Sequence, residues 1–460
     1  MTPIFFKKIH LAIMAAIASV AFVGCSSSSD SKESAISSPE NSVIANSCFW
    51  VGPYKKETPE TNFAFPDTGA RYWTAGYKLP EGASLKLNGE FPYARYMSIN
   101  SYRADASPAH SIADSAIIAN TGSENPFVDG SYRLSTSRDY TITMASGDAP
   151  DVVPPNTLYE HSESGAKTTL LYRVYVPDEG LHEGGGVNLP SPELTLSDGS
   201  VLTGTAACDT LNADPNLVEV PSIPPNTYAF LRSNNPAENA LIEENEVKTV
   251  KWRAAYNAQY ANQCSFLGQC DPNPVRQVGW FANNDNQYVS AFIDRNIKSI
   301  VVIRGKIPNT PTTLSGNDTV DESQAQLRYW SICQNEYFSQ KVTDCLYDEQ
   351  ITINADGKYT IVTSLTDDKP ENATNECGVG FLPWSGEGDG FGIIDGFDNN
   401  ETDGFLVARN MLPINGFSQT AQNTAIPGDE AEVMGDYLPT AQYFTKAEFE
   451  ALGCDPYTAL

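Results

Sequence analysis

The chain has 460 residues, long enough for about two to four domains and a sizeable core. With 41% hydrophobic, 10% aromatic and 19% charged residues it has a globular composition, which excludes a disordered or coiled-coil chain. Lys+Arg number 29 against 57 for Asp+Glu, a net charge of −28, and this argues against a nucleic-acid partner, which requires a basic surface.

Residues 1–24 read as an export signal. Lys7-Lys8 precede an apolar run from Ile9 to Val23, broken only by His10 and Ser19, and a small Gly24 follows. The run is shorter than the ~20 apolar residues that span a bilayer comfortably. Its end, Phe22-Val23-Gly24-Cys25, resembles the lipobox of bacterial lipoproteins, with Phe22 where Leu is usual. That resemblance implies cleavage before Cys25, lipid on its thiol and new amino group, and membrane attachment through several acyl chains. Ser26 after the cysteine implies forwarding to the outer membrane. Residues 25–45 then form a Ser-rich tether.

Beyond Cys25 the remaining cysteines are Cys48, Cys208, Cys264, Cys270, Cys333, Cys345, Cys377 and Cys454. An even set in an exported chain predicts disulfides. Cys264 and Cys270 close a short loop and are expected to pair, as are two of Cys333, Cys345 and Cys377. No C-x-x-C occurs and histidine is scarce, which argues against a zinc site.

The body of the chain repeats itself in order. Lys78-Leu79-Pro80 returns as Lys306-Ile307-Pro308, and Ala94-Arg95-Tyr96-Met97-Ser98-Ile99 as Leu327-Arg328-Tyr329-Trp330-Ser331-Ile332. Ile112-Ala113-Asp114 returns as Leu346-Tyr347-Asp348, and Asp139-Tyr140-Thr141-Ile142 as Lys358-Tyr359-Thr360-Ile361. Finally Tyr172-Arg173 to Val176-Pro177 returns as Ala408-Arg409 to Leu412-Pro413. Each unit alternates at period two between turn signals such as Asp129-Gly130, Asp198-Gly199 and Asp356-Gly357, the pattern of short strands. The expected fold is mainly β: two tandem β-sandwich or jelly-roll-like units related by internal duplication. The first unit covers 46–205, a partly helical connecting region 206–280, the second unit 281–415 and a C-terminal extension 416–460. A helix is expected within Pro236 to Gln263, and another from Thr445 to Leu452 with Thr445 as N-cap.

A family resemblance rests on Phe65-Pro66-Asp67, Leu79-Pro80, Phe91-Pro92, Ala94-Arg95-Tyr96 and Tyr172-Arg173-Val174-Tyr175, with Arg304-Gly305-Lys306, Arg328-Tyr329-Trp330-Ser331, Cys377-Gly378, Leu382-Pro383-Trp384 and Arg409 to Pro413. Over residues 48 to 445 the chain resembles a group of uncharacterised bacterial exported proteins built of tandem β-sandwich domains of unknown function. The resemblance implies the fold and no mechanism.

Two constellations carry candidate chemistry. Arg95, Asp114 and Arg173 recur as Arg328, Asp348 and Arg409. They are expected either as an Arg–Asp pair kept within each copy or as guanidinium groups facing a pocket and clamping a carboxylate or phosphate. The stretch 386–404 holds Asp389, Asp395, Asp398 and Asp403 among Gly and Asn, oxygen ligands suited to Ca²⁺, although the EF-hand spacing fails. The alternative there is a solvated acidic loop, inserted relative to the first unit. No G-x-S-x-G, H-E-x-x-H or phosphate-binding glycine loop occurs. His182-Glu183-Gly184-Gly185-Gly186 reads as a glycine-rich turn. The expectation is a lipid-anchored, non-catalytic envelope protein that binds an extracellular ligand or partner protein. A polysaccharide hydrolase with paired carboxylates and a structural subunit of a surface assembly are the alternatives.

Overall fold

The computed structural model describes residues 47–161, 166–219, 221–277, 279–317, 320 and 322–460. The export signal, Cys25 and the tether up to residue 45 lie outside the described residues. The first half contributes strands β1 (Val51–Tyr54), β2 (Ala70–Lys78), β3 (Ser84–Glu90), β4 (Ala94–Tyr102), β5 (Pro108–Ala113), β6 (Asp139–Ala145), β7 (Thr157–Tyr159), β8 (Lys167–Pro177), β9 (Ser191–Thr195) and β10 (Val201–Thr203). Helices α1 (Gly204–Thr210), α2 (Pro225–Leu231) and α3 (Pro236–Ala240) follow. A hairpin comes next, β11 (Leu241–Glu244) with β12 (Val247–Val250), then β13 (Arg253–Ala254) and α4 (Ala258–Leu267). The second half is β14 (Asn286–Asp294), β15 (Ile300–Lys306), β16 (Leu327–Asn335), β17 (Val342–Tyr347), β18 (Lys358–Ser364), β19 (Gly380–Pro383), β20 (Asp403–Pro413), α5 (Glu430–Met434), β21 (Thr440–Phe444) and α6 (Lys446–Glu450).

These strands form four sheets that repeat in pairs. One sheet of the first half runs β1-β2-β8-β4-β5, and its counterpart in the second half runs β13-β14-β20-β16-β17. The other two sheets share the order β9-β3-β6-β7 and β21-β15-β18-β19, and in both the last pair is the parallel one. Their remaining edges differ, β10 in one and the β11–β12 hairpin in the other. The structure is therefore mainly β, two sandwiches with one topology, gathered in a single compact unit.

Each sandwich has its own core. Trp73, Met97, Ile99, Tyr172 and Val174 meet Leu85, Leu87, Tyr140, Ile142 and Leu194 in the first. Ala291, Ile293, Trp330, Ile332 and Leu406 meet Val301, Ile303, Tyr359, Ile361 and Ala441 in the second. A further cluster, Tyr96, Tyr175 and Val176 with Tyr329, Tyr347 and Met411, joins the two inner sheets face to face. The inner sheets are thus covered on both sides, and all nine residues of β4 and of β16 are buried.

The repeat extends to backbone detail. Val176 and Leu412 both take left-handed φ angles, 47° and 46°, near the ends of β8 and β20, and each donates its N–H across to a loop of its own half, Val176 to Gly69 and Leu412 to Asp285. Gly89 lies opposite Tyr140 and Gly305 opposite Tyr359. A Cβ at either glycine would come within 2.6 Å of the Tyr140 ring or 2.8 Å of the Tyr359 hydroxyl.

One match in the repeat needs correction. Lys78 ends β2 whereas Lys306 ends β15, which holds the place of β3, so these residues are not equivalent. The segment from Pro236 to Gln263 carries helix as expected, α3 and the start of α4, with a hairpin between them. Asn245 and Glu246 adopt φ of 51° and 68° and turn the chain into the β11–β12 hairpin, a conformation asparagine accepts readily. The C-terminal helix α6 is capped as expected, with the Thr445 side chain accepting from the Glu448 N–H. The disulfides are Cys264–Cys270 and Cys333–Cys345, joined by Cys48–Cys208 and Cys377–Cys454.

Candidate functional site

The repeated arginines and aspartates meet at the junction of the two sandwiches, and they meet crosswise. Arg95 of the first half pairs with Asp348 and Glu349 of the second. Arg328 of the second half pairs with Asp114 of the first at 3.1 Å, and with Glu322. Each aspartate opens a short turn after an edge strand, β5 for Asp114 and β17 for Asp348. Each also accepts a backbone N–H of its own half, Met97 at 2.8 Å for Asp114 and Trp330 at 2.9 Å for Asp348. The expectation of an Arg–Asp pair kept within each copy is thereby corrected: the partners are exchanged between copies. The physical reason is that the inner sheets bury their outward faces against each other, so the nearest compensating charge belongs to the other sheet. Burial outweighs Arg328 and pushes the Asp114 carboxyl up to about 6. Asp348 moves in the same direction for the same reason, against the pull of Arg95.

The exchange continues along the junction. The Tyr96 hydroxyl donates to Asp285 at 2.6 Å, and the Tyr329 hydroxyl to Asp67 at 2.8 Å. The Phe65 N–H donates to the Gln340 carbonyl, and the Phe281 N–H to the Ala106 carbonyl. The Arg173 guanidinium donates to the Phe281 carbonyl and that of Arg409 to the Phe65 carbonyl, both at 2.6 Å. Residues of the two halves therefore contact one another reciprocally, as about an approximate twofold axis.

Beside this lattice lies a cavity of about 240 Å³, lined from both halves. Its walls also come in pairs. Tyr72 and Tyr288 occupy matching places on β2 and β14, Arg173 and Arg409 on β8 and β20, and Phe65 and Phe281 on the loops before β2 and β14. Tyr72 faces Arg173 across its strand pair and Tyr288 faces Arg409 across its own. The guanidinium carbons stand 5.9 Å and 5.8 Å from those rings. Burial, with Asp67 adding to it, pushes the Tyr72 hydroxyl up to about 12, so it stays neutral. Thr74, Ser290, Leu171, Val407, Trp280 and Tyr337 complete much of the wall.

Arg173 and Arg409 thus face a pocket, and their contacts are not simple Arg–Asp pairs. Arg173 is 2% exposed and donates to the Asn100 side-chain carbonyl, the Tyr102 hydroxyl and the Phe281 carbonyl. Arg409 has Asp67 at 3.6 Å and donates to the Cys333 sulfur. The cavity-lining partners Tyr72, Tyr288, Trp280 and Arg253 were not singled out from sequence. Aligning Ala70-Arg71-Tyr72-Trp73 with Asn286-Gln287-Tyr288-Val289 reveals the first two, because β2 and β14 are equivalent. Trp280 and Arg253 carry no repeat signal.

The acidic segment is a long connection between β19 and β20, where the first half has only 160–166 between β7 and β8. Its four aspartates do not converge. Asp389 is buried and accepts from Tyr228, Arg232 and the N–H groups of Phe391 and Asn400. Asp395 and Asp398 are exposed. Asp403 lies in β20 opposite Asp294 of β14. Burial, then the charges of Asp294 and Asp389, push Asp403 up to about 7. Among the described residues the one gathering of three metal-ligand side chains within 4.8 Å is Asp67 with Cys333 and Cys345, whose sulfurs are joined in a disulfide. His182 accepts from the Gly184 N–H, and Gly185 and Gly186 turn at φ of 68° and 76°, as a glycine-rich turn should.

The fold and the junction define a mainly β protein of two interlocked sandwiches. No protein-family model matches the chain, and no curated protein matches it. Among solved structures it is similar to an uncharacterised protein from Burkholderia cenocepacia, 10% identical over 82% of each chain, with a TM-score of 0.41. It is also similar to the VPA0106 protein from Vibrio parahaemolyticus, 10% identical over 87% of this chain and 92% of that one, with a TM-score of 0.38. Neither likeness carries a function to this chain.

Proposed function

We propose that the protein is a lipid-anchored, non-catalytic binding protein of the bacterial envelope, and that the cavity between its sandwiches receives the ligand. The observation that carries the reading is the cavity itself. It is walled by paired aromatic and apolar residues of both halves with a few polar groups among them, the make-up of a small-molecule site. The four disulfides support export. The lipobox-like Phe22-Val23-Gly24-Cys25 supports the anchor. A hydrolase reading would turn to the facing carboxylates Asp294 and Asp403, but these are 1% and 5% exposed and offer no open cleft to a polymer.

The binding reading is tested with N-phenyl-1-naphthylamine, a neutral apolar fluorophore, on the purified full chain carrying Cys25→Ala. Saturable fluorescence in this protein, lost when Ser290→Trp fills the cavity, is expected. Equal fluorescence from the filled variant would place binding elsewhere. For the anchor, Cys25→Ala in cells should release the protein from membranes, as fractionation reads. Persistent membrane association of that variant contradicts the lipid.

A further inference from the structure

The charged residues that line the cavity are Arg173, Arg253 and Arg409; among the described residues no Asp or Glu lines it. This is notable in a chain where acids outnumber bases 57 to 29. A guanidinium withdrawn from water needs compensating negative charge or it remains costly. Arg173 has only neutral oxygens as partners, and among the described residues no carboxylate lies within 4 Å of it. Asp285 feels its charge from farther away and is already engaged by the Tyr96 hydroxyl. Arg253 is half-buried and donates once, to the Asn239 carbonyl at 3.2 Å. Arg409 alone of the three has a carboxylate in ion-pair range, Asp67 at 3.6 Å. The wall is thus cationic and incompletely compensated, while the space it borders is aromatic.

Resting on the binding reading above, we propose that the ligand is a small amphipathic carboxylate, an aromatic or short acyl body with one anionic end. The body packs against Phe65, Phe281, Tyr288 and Trp280, and the carboxylate turns toward the arginines, whose planar fork suits it. The volume of about 240 Å³ lies below the ~300–1,000 Å³ of sites for drug-sized molecules, so the ligand is small.

The test displaces N-phenyl-1-naphthylamine at neutral pH with two probes of the same body, 4-phenylbutyrate and 4-phenylbutan-1-ol. The carboxylate is expected to displace the fluorophore at a concentration at least about tenfold lower than the alcohol. Arg253→Gln, which removes a half-buried arginine with a single hydrogen bond, should shrink that preference, and Arg253→Lys should restore part of it. Equal displacement by the two probes would overturn the carboxylate assignment and leave the cavity as the binding site. Failure of the fluorophore itself to bind would overturn the underlying reading instead. An unchanged preference in Arg253→Gln, with circular dichroism showing a native fold, would also overturn the assignment of the cationic wall.

Discussion

Arg95 has no solvent exposure, yet every charge it meets comes from the opposite half of the chain. Burying a guanidinium is tolerable only with its partner in place, and removing one partner of such a pair costs about 3–5 kcal/mol. The crosswise arrangement makes each half the counter-ion of the other, which fixes their register more than it adds net stability. Asp403 is only partly relieved, by the Asn400 side chain and the more distant charge of Arg232. Its carboxyl faces Asp294, and burial raises it to about 7. A carboxyl raised above its unfolded value of 3.8 binds its proton more tightly in the folded protein. The stabilisation is full below about pH 4 and fades as pH rises through about 7. Denaturant titrations should therefore show a loss on the order of a few kcal/mol across that window. Asp403→Asn should flatten the loss and be the more stable protein at pH 8. A pH profile unchanged by Asp403→Asn would contradict the shift.

Strands repeat more faithfully than loops, and this decided what the sequence could disclose. Arg95/Arg328, Asp114/Asp348, Tyr140/Tyr359 and Arg173/Arg409 all sit on or beside strands whose alternation and packing constrain them, so their equivalence was visible. Lys78 and Lys306 matched only as a Lys-apolar-Pro tripeptide, while the true counterpart of Gly305-Lys306-Ile307-Pro308 is Gly89-Glu90-Phe91-Pro92 at the end of β3. The hairpin at Asn245-Glu246 was hidden by good helix formers around a single asparagine. The crosswise pairing was invisible for another reason: equivalent residues look alike whether they pair within a copy or between copies. At the element scale the glycine–tyrosine contact predicts that Gly305→Ala costs about 1–3 kcal/mol, since the new methyl meets a fully buried Tyr359 hydroxyl. Adding Tyr359→Phe should recover part of that loss in urea denaturation. A neutral Gly305→Ala would show that the strands part easily there.

For the whole molecule, the junction unites structure and proposed function. Among the described residues no disulfide joins one sandwich to the other, so they are held together by the continuous chain and by non-covalent contacts. Separating them would expose the tyrosine-rich inner faces, leave Arg95 without its carboxylates and Arg328 without Asp114, and open the cavity. A single cooperative unfolding transition follows from that interdependence. The most direct measurement is a set of double-mutant cycles on the four repeated charges, read by equilibrium unfolding. Coupling of about 2 kcal/mol or more is predicted for Arg95 with Asp348 and for Arg328 with Asp114, with little for Arg95 with Asp114 or Arg328 with Asp348. Strong coupling within each half and none across the junction would contradict the interlocked arrangement.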